Sequence, residues 1–239
     1  MLSLGSLGGD VRFAFTTRAG GVSAAPFDAL NLSVDVGDDP AAVATNRGRV
    51  LARLGVRHAV WLKARHGADV VEVTDVDAVA GAPAVDAMVT TQPGLALAAL
   101  SADCMLVVLA DHDNGVVGVA HCGRPGLTAG VIARVAARMR EIGAASMRAA
   151  LGPSICAACY EVPQPMADDV WSAVPSSEAR SRDGAPAIDI AAGVTAQLAA
   201  EGVDVVRRVG GCTREDPSLF SYRRDGVTGR LGALVWRAP

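Results

Sequence analysis

The chain is predicted to fold as one α/β domain built on a mixed sheet, and three observations lead there. Short β-rich runs and amphipathic helical stretches alternate along its 239 residues, but irregularly, which favours a mixed sheet over a doubly wound parallel one. The composition is 51% hydrophobic and 20% charged, which suits a globular chain with a sizeable core. No internal repeat, low-complexity tract or linker divides residues 1–239, so a single domain is expected over that span.

Taken in order, "VRFAFTT" reads as a strand over 11–17 that runs into a glycine turn. The stretch "DDPAAVATNRGRVLARLG" reads as a helix, with Asp39 as N-cap, Pro40 in the first turn and Gly55 as C-terminal cap. "AVWL" and "DVVEV" are short strands on either side of "KARHG", and the run from Leu95 to Leu100 leads into "ADCMLVVLADHDNGVVGVAHCG". Residues 126–142 place Val131, Ile132, Val135, Met139 and Ile142 on one face of a single core-packing helix. A strand and turn over "MRAALGPSI" and a short helix over "PQPMADDVWSAV" follow. Residues 175–186, rich in Ser, Arg, Pro and Gly, read as a mobile loop. "IDIAAGVTAQLAAEGV" is a further helix and "GALVWR" a closing strand.

Composition excludes several roles. The formal charge is −3, the cations are scattered and aromatics are only 4%, so no nucleic-acid partner is expected. The start of the chain lacks the charged and apolar regions of a secretory signal. The longest apolar passage, 94–110, is interrupted by Ser101 and Asp103 and is too short for a membrane span, so no membrane partner is expected. Five cysteines, an odd number in a chain too large to need staples, fit a reducing cytoplasm. A monomer is expected.

Chemistry concentrates around Cys104 and His121. "MLVVLAD" and "GVVGVA" flank "HDNG", a hairpin turn signal. With an even-length loop, paired residue numbers sum to an odd value, so Cys104 and His121 project from the same face at the same end of the hairpin. They would stand one or two side-chain steps apart, roughly 7–13 Å at about 3.3 Å per residue. Taken alone, Cys104 reads as a small buried hydrophobe and His121 as a structural histidine; together they permit a shared site. His66, in a glycine-bearing loop between two short strands, is the third candidate, whereas His58 and His112 read as solvated. A His, Cys, His set suits zinc with a fourth position open, the pattern of a catalytic site. Cys156 and Cys159 form a single "CAAC" bounded by prolines, without the second pair of a zinc ribbon, and read as structural thiols rather than ligands or redox partners.

The segments "FTTRAGGVS", "LNLSVDVGDDPAAVATNR", "RHGADV", "VDAMVTTQPGLAL", "SADCMLVVLAD", "VGVAHCG", "LGPSICAACYEV" and "CTREDPSLFSYRRDGVTGR" run nearly end to end. On them the chain resembles the bacterial laccase-domain family, also called YfiH-type multicopper polyphenol oxidases. Members of that family are mostly described as purine nucleoside phosphorylases with adenosine deaminase activity. The resemblance implies one α/β domain with layered mixed sheets flanked by helices, related to cysteine-hydrolase-like toxin domains. It places the family's metal ligands on His66, Cys104 and His121, implying zinc, with copper as the alternative. The toxin relatives pair a Cys with a His, so Cys104 and His121 are also candidate catalytic residues.

The implied substrates are a purine nucleoside and phosphate. Zinc held by the triad would activate water against C6 of adenosine. Arg18, Arg47, Arg223 and Arg224, all in matching segments, are balanced between holding phosphate and serving as surface or ion-pairing arginines. Asn31 and Asn46 are balanced between substrate contact and turn or cap roles, and Asp103 between orienting a partner and satisfying backbone. Three motifs depart from the family's pattern: "QVHG" reads Ala64-Arg65-His66-Gly67, "HAGWRG" reads His121-Cys122-Gly123-Arg124-Pro125-Gly126, and the "GPCCYEV" stretch reads Cys156-Ala157-Ala158-Cys159-Tyr160-Glu161-Val162. Rival readings are an amidase that edits peptidoglycan precursors, a polyphenol oxidase, and a non-catalytic metal- or partner-binding protein. Four scattered histidines cannot build multicopper centres, which weighs against the oxidase.

Overall fold

The computed structural model describes residues 2–75 and 82–238. The strands β1 (Leu2–Gly8) and β2 (Val11–Thr16) form an antiparallel hairpin. Only the second was legible, because glycine and serine dilute the apolar pattern of "LSLGSLG". Helix α1 (Pro40–Leu54) has the expected ends: Asp39 accepts a hydrogen bond from the Ala41 N–H at 3.0 Å, and Gly55 closes it at φ 67°. There follow β3 (His58–Trp61), β4 (Val70–Glu72), β5 (Ala87–Thr90), β6 (Leu95–Ser101), β7 (Met105–Asp111) and β8 (Val116–Cys122).

The single helix expected over 126–142 is two helices, α2 (Arg124–Thr128) and α3 (Val131–Glu141). Gly130, left-handed at φ 75°, breaks the run and redirects the chain. The face named from the sequence still packs inward, with Val131, Ile132, Val135 and Met139 fully buried. After β9 (Arg148–Leu151), a 3-10 turn over Ala157–Cys159 and α4 (Gln164–Ala173), the stretch expected to be a mobile loop is instead ordered. It forms a hairpin of β10 (Glu178–Arg180) and β11 (Pro186–Ile188). Ala187 and Ile188 are buried, the Trp171 indole N–H donates to the Ala187 carbonyl, and Arg180 stacks on that indole. The chain ends with α5 (Ile190–Ala200), β12 (Asp204–Arg208), α6 (Tyr222–Asp225) and β13 (Leu231–Arg237).

Two mixed sheets stack face to face. One has the order β1-β2-β13-β6-β3, the other β12-β9-β7-β8-β5-β4. In each, an antiparallel centre carries parallel pairs at the margin: β3 with β6, β4 with β5, and β9 with β12. Phe13, Phe15, Leu97 and Val235 of the first sheet interdigitate with Leu106, Val108, Val117 and Val119 of the second. The outer face of the second sheet, including Val107, Leu109, Ala120 and Cys122, lies under α2, α3 and α5. Val50 of α1 packs with Ala96, Ala98 and Leu234 on the outer face of the first. The result is a layered mixed α/β domain, as the resemblance implied. Among the described residues, no helix is long and apolar enough to cross a membrane.

Candidate metal-binding site

Strand parity puts the site where the two sheets part. In the β7–β8 hairpin, Leu106 stands opposite His121 and Met105 opposite Cys122, across a four-residue turn. His121 therefore shares the inter-sheet face with Leu106, Val117 and Val119, while Cys122 faces the helices. Cys104 comes from the other direction, at the end of a three-residue crossing from β6 in one sheet to β7 in the other. That crossing bends at Asp103, held at φ 89°, and the Ser101 hydroxyl donates to the Cys104 carbonyl at 2.6 Å. The bend brings the groups closer than the 7–13 Å of an undistorted hairpin.

His66 arrives from the loop after β3, also with a left-handed backbone, φ 59°. Non-glycine residues rarely adopt such φ values unless the surroundings enforce them, and Asp86 does so here. Its carboxylate is fully buried and accepts backbone N–H bonds from His66 at 2.9 Å and Gly67 at 2.7 Å, with a longer contact from Arg65. The same carboxylate meets His121 Nδ1 at 3.0 Å, and the Asp86 carbonyl accepts the His121 N–H. His121 thus turns its Nε2 toward the cavity. Cys104 Sγ lies 3.9 Å from His66 Nε2, the two imidazoles meet edge to face at 4.8 Å, and one atom from each of the three residues lies within 4.8 Å of the others. A tetrahedral zinc needs such atoms about 3.3–3.8 Å apart, within reach of small side-chain rotations. Two imidazoles and a thiol fit zinc, and the Asp86–His121 bond is the outer support such ligands require.

Burial alone would raise the Cys104 thiol, but the buried imidazole of His121 and the bonds to both histidines bring it down to about 6. Burial opposes a charged His121, yet the Cys104 thiolate and Asp86 lift it to about 9. Both shifts favour a thiolate beside a protonated or metal-bound imidazole. Burial pushes the Cys122 thiol far up, consistent with an inert core residue.

The triad lines one side of a cavity of about 510 Å³, the size of a small-molecule site. Arg47 and Arg223 line it. Arg47 stacks on Trp61 and donates to the Leu32 carbonyl, and Arg223 stacks on Tyr160 and donates to the Glu161 carbonyl. Arg18, Asn31 and Arg224 lie outside the cavity. Arg18 pairs with Asp28 and covers Phe220. Asn31 is buried between Ser33, Asp38 and the Arg230 N–H, and Arg224 grips carbonyls of residues 213–219 and pairs with Asp225. Asn46 likewise clamps loop backbone at Val22, Ala29 and Asn31. His58 is exposed, and His112 rests beside Asp113 in its turn. Asp103 satisfies backbone and also orients a partner, accepting the Arg223 N–H and the Thr213 hydroxyl, both at 2.6 Å.

Sequence reasoning passed over Asp86, Lys63, Arg124, Tyr160, Tyr222 and Arg230, the last five of which line the cavity. For Asp86 a signal existed: one acid entering the otherwise apolar "VDAMV". The altered "HCGRPG" is accommodated at the start of α2. Arg124 is its first residue, and Pro125 sits in the first turn, where a missing N–H breaks no helical bond. Gly123 is required at its position, since a Cβ there would stand 2.7 Å from Cys104 Sγ.

Fold and site together define a mixed α/β protein with a His/Cys/His cluster beside a cationic cavity. The family model described as multi-copper polyphenol oxidoreductase laccase matches residues 12–238, and the chain belongs to that family. It is 51% identical over 233 residues to the purine nucleoside phosphorylase ORF3 of Streptomyces griseus, covering 95% of each chain. It is 40% identical to the purine nucleoside phosphorylase of Deinococcus radiodurans, covering 94% of this chain and 88% of that one. Among solved structures, a Neisseria meningitidis protein superposes with a TM-score of 0.89 at 33% identity, covering 100% and 99% of the two chains. YlmD from Geobacillus stearothermophilus does so at 0.85 and 31%, covering 96% and 93%.

Proposed function

We propose that the protein is a purine nucleoside phosphorylase that also deaminates adenosine, using zinc held by His66, Cys104 and His121. The observation that carries the reading is a cavity joining this triad to Arg47, Arg124, Arg223, Arg230 and Lys63; the names of the relatives point the same way. Zinc, when bound, supplies Lewis acidity toward the purine or toward water.

The chain's own residues do the rest. In phosphorolysis a phosphate oxygen bonds to the ribose C1′ as the bond to the purine nitrogen breaks, and the electron pair departs with the base. The cavity arginines would hold phosphate as bidentate donors and set its oxygen toward C1′. Tyr160, itself under Arg223, offers an aromatic face at the cavity wall against which a purine could stack. Asp86 keeps His121 oriented throughout. Deamination replaces the C6 amino group by a water oxygen and releases ammonia, so both reactions need the base held near the triad.

Purified zinc-loaded protein is expected to convert adenosine to inosine, and to release free base from adenosine, inosine or methylthioadenosine only when phosphate is present. Base released without phosphate would point to a hydrolase, and oxygen consumption with phenols to an oxidase. Zinc-loaded protein inert toward all three nucleosides overturns the proposal and makes peptidoglycan precursors the substrates to test. Cys104→Ala should lose both activities together with zinc at this site.

A further inference from the structure

A second group of ligand-type side chains lies outside the triad. The 3-10 turn after β9 carries Cys156 and Cys159, and the loop after β12 brings Cys212 and Glu215 against it, so that one atom from each lies within 4.8 Å of the others. The missing second half of the "CAAC" motif is therefore supplied from 53 and more residues further along the chain. All three cysteines are free thiols. Three converging thiols cannot be satisfied by one disulfide, whereas three thiols and a carboxylate complete a four-coordinate shell. Cys212 Sγ accepts the Cys156 backbone N–H at 3.4 Å, the kind of support a metal-bound sulfur receives. Cys159 Sγ approaches Glu215 Oε1 at 3.5 Å. Glu215 is also paired with Arg182, whose guanidinium would offset part of the excess negative charge of three thiolates and a carboxylate around a divalent ion.

We infer that Cys156, Cys159, Cys212 and Glu215 form a second, structural metal site that binds one zinc ion and fastens the 156–160 turn to the 212–225 segment. A single ion fits the spacing: tetrahedral Zn–S bonds of about 2.3 Å set sulfurs about 3.8 Å apart, whereas an iron–sulfur cluster inserts several atoms between its thiolates and spreads them wider. All four positions are filled by protein, which marks a closed structural site rather than a catalytic one. This revises the reading of Cys156 and Cys159 as plain structural thiols.

The location gives the site a purpose. The Ser154 carbonyl accepts the Thr213 N–H at 3.1 Å beside it, and Thr213 holds Asp103 next to the triad. Tyr160 follows Cys159 directly, and Arg223 stacks on it. Zinc here would lock together the two segments that form one wall of the substrate cavity. The inference does not depend on which reaction that cavity performs.

The experiment uses the full chain, purified in reducing buffer. His66→Ala/His121→Ala removes the first site, and this variant should still bind one Zn²⁺ per chain. Loaded with Co²⁺ instead, it should show the strong near-ultraviolet absorption of several thiolates on one cobalt. Adding Cys212→Ser should lose that equivalent and that absorption. Should the triple variant fold poorly, the wild-type chain decides: zinc added after chelation should slow alkylation of Cys156, Cys159 and Cys212 at least ten-fold, mapped by peptide mass. Equal labelling with and without zinc, or a Cys156–Cys212 disulfide in freshly reduced and purified protein, overturns the inference.

Discussion

Replacing Asp86 with asparagine keeps the shape of the side chain and removes its charge, so it measures what holds the triad in place. The carboxylate serves His66 and His121 through one oxygen and Gly67 through the other. Asparagine can satisfy one of these sides only; its NH₂ then faces a buried N–H donor at about the former hydrogen-bond distance. Losing a charge-assisted bond and stranding a donor should cost about 2–4 kcal/mol, or a fall in Tm of about 5–15 °C for a chain of this size. Zinc affinity at the triad should drop about 10–100-fold, as when the outer support of a ligand histidine is removed. The pH dependence should change as well. Burial pushes the Asp86 carboxyl up, but His121 and the N–H groups of Gly67 and His66 outweigh it and hold it below the usual carboxylate range. That stabilisation is fully present above the unfolded value, about 3.9, and is lost as pH falls through the lower folded value. The variant should lack this component of acid sensitivity. Thermal unfolding from pH 2 to 7 and competition titration with a zinc chelator measure both effects. A Tm within 2 °C of wild type with unchanged zinc affinity would refute the account of Asp86 as the residue that positions the site.

Three further outcomes are expected. Gly123→Ala leaves an acceptable backbone (φ −87°) but drives a Cβ to 2.7 Å from Cys104 Sγ and 3.1 Å from His66 Cδ2; zinc affinity at the triad should fall at least about ten-fold while circular dichroism stays native. In chelator-treated protein, alkylation of Cys104 should rise with a midpoint near 6, against about 8.5 for an ordinary thiol, and His121→Ala should move it back up; a wild-type midpoint near the ordinary value would contradict the thiolate–imidazole pairing. Because Pro125 occupies a first-turn position, Arg124→Trp with Pro125→Arg should leave the fold intact, but it takes a cation from the cavity wall at position 124 and should lower kcat/KM for nucleosides at least about two-fold, a fraction of a kcal/mol. Unchanged or raised turnover would show that Arg124 takes no part in holding phosphate.

The triad was legible because its signals are local. Parity across a four-residue turn fixes which face Cys104 and His121 share, and glycine beside His66 marks an open loop. Helix α1 was legible for the same reason, its caps being written in Asp39, Pro40 and Gly55. What the sequence hid depends on distant partners. Asp86 is one acid among 25 acidic residues until β5 pairs with β8 and delivers it to His121. Arg18, Arg47, Arg223 and Arg224 look alike in sequence, yet Arg18 and Arg224 pair with Asp28 and Asp225 outside the cavity, whereas Arg47 and Arg223 stack on aromatic rings at its wall. Cys212 opens a matching segment but has no second cysteine near it in sequence, and only folding sets it beside "CAAC". The β10–β11 hairpin was missed because a few buried contacts, notably with Trp171, outweigh a composition of turn residues.

The position of β13 has a consequence for how the molecule comes into being. The last strand in the chain is an inner one, hydrogen-bonded to β2 on one side and β6 on the other. Until residues 231–237 have been synthesised, two strands that end up neighbouring it present bare edges, and Phe13, Phe15 and Leu97 lack part of their cover. Nascent chains grow at about 5–20 residues per second, so those edges persist for many seconds after β2 has emerged. The crossing that carries Cys104 leaves directly from β6, so this candidate metal ligand is displayed before the sheet beneath it can close. A direct pairing of β2 with β6 before residues 231–237 arrive would leave β13 no place between them.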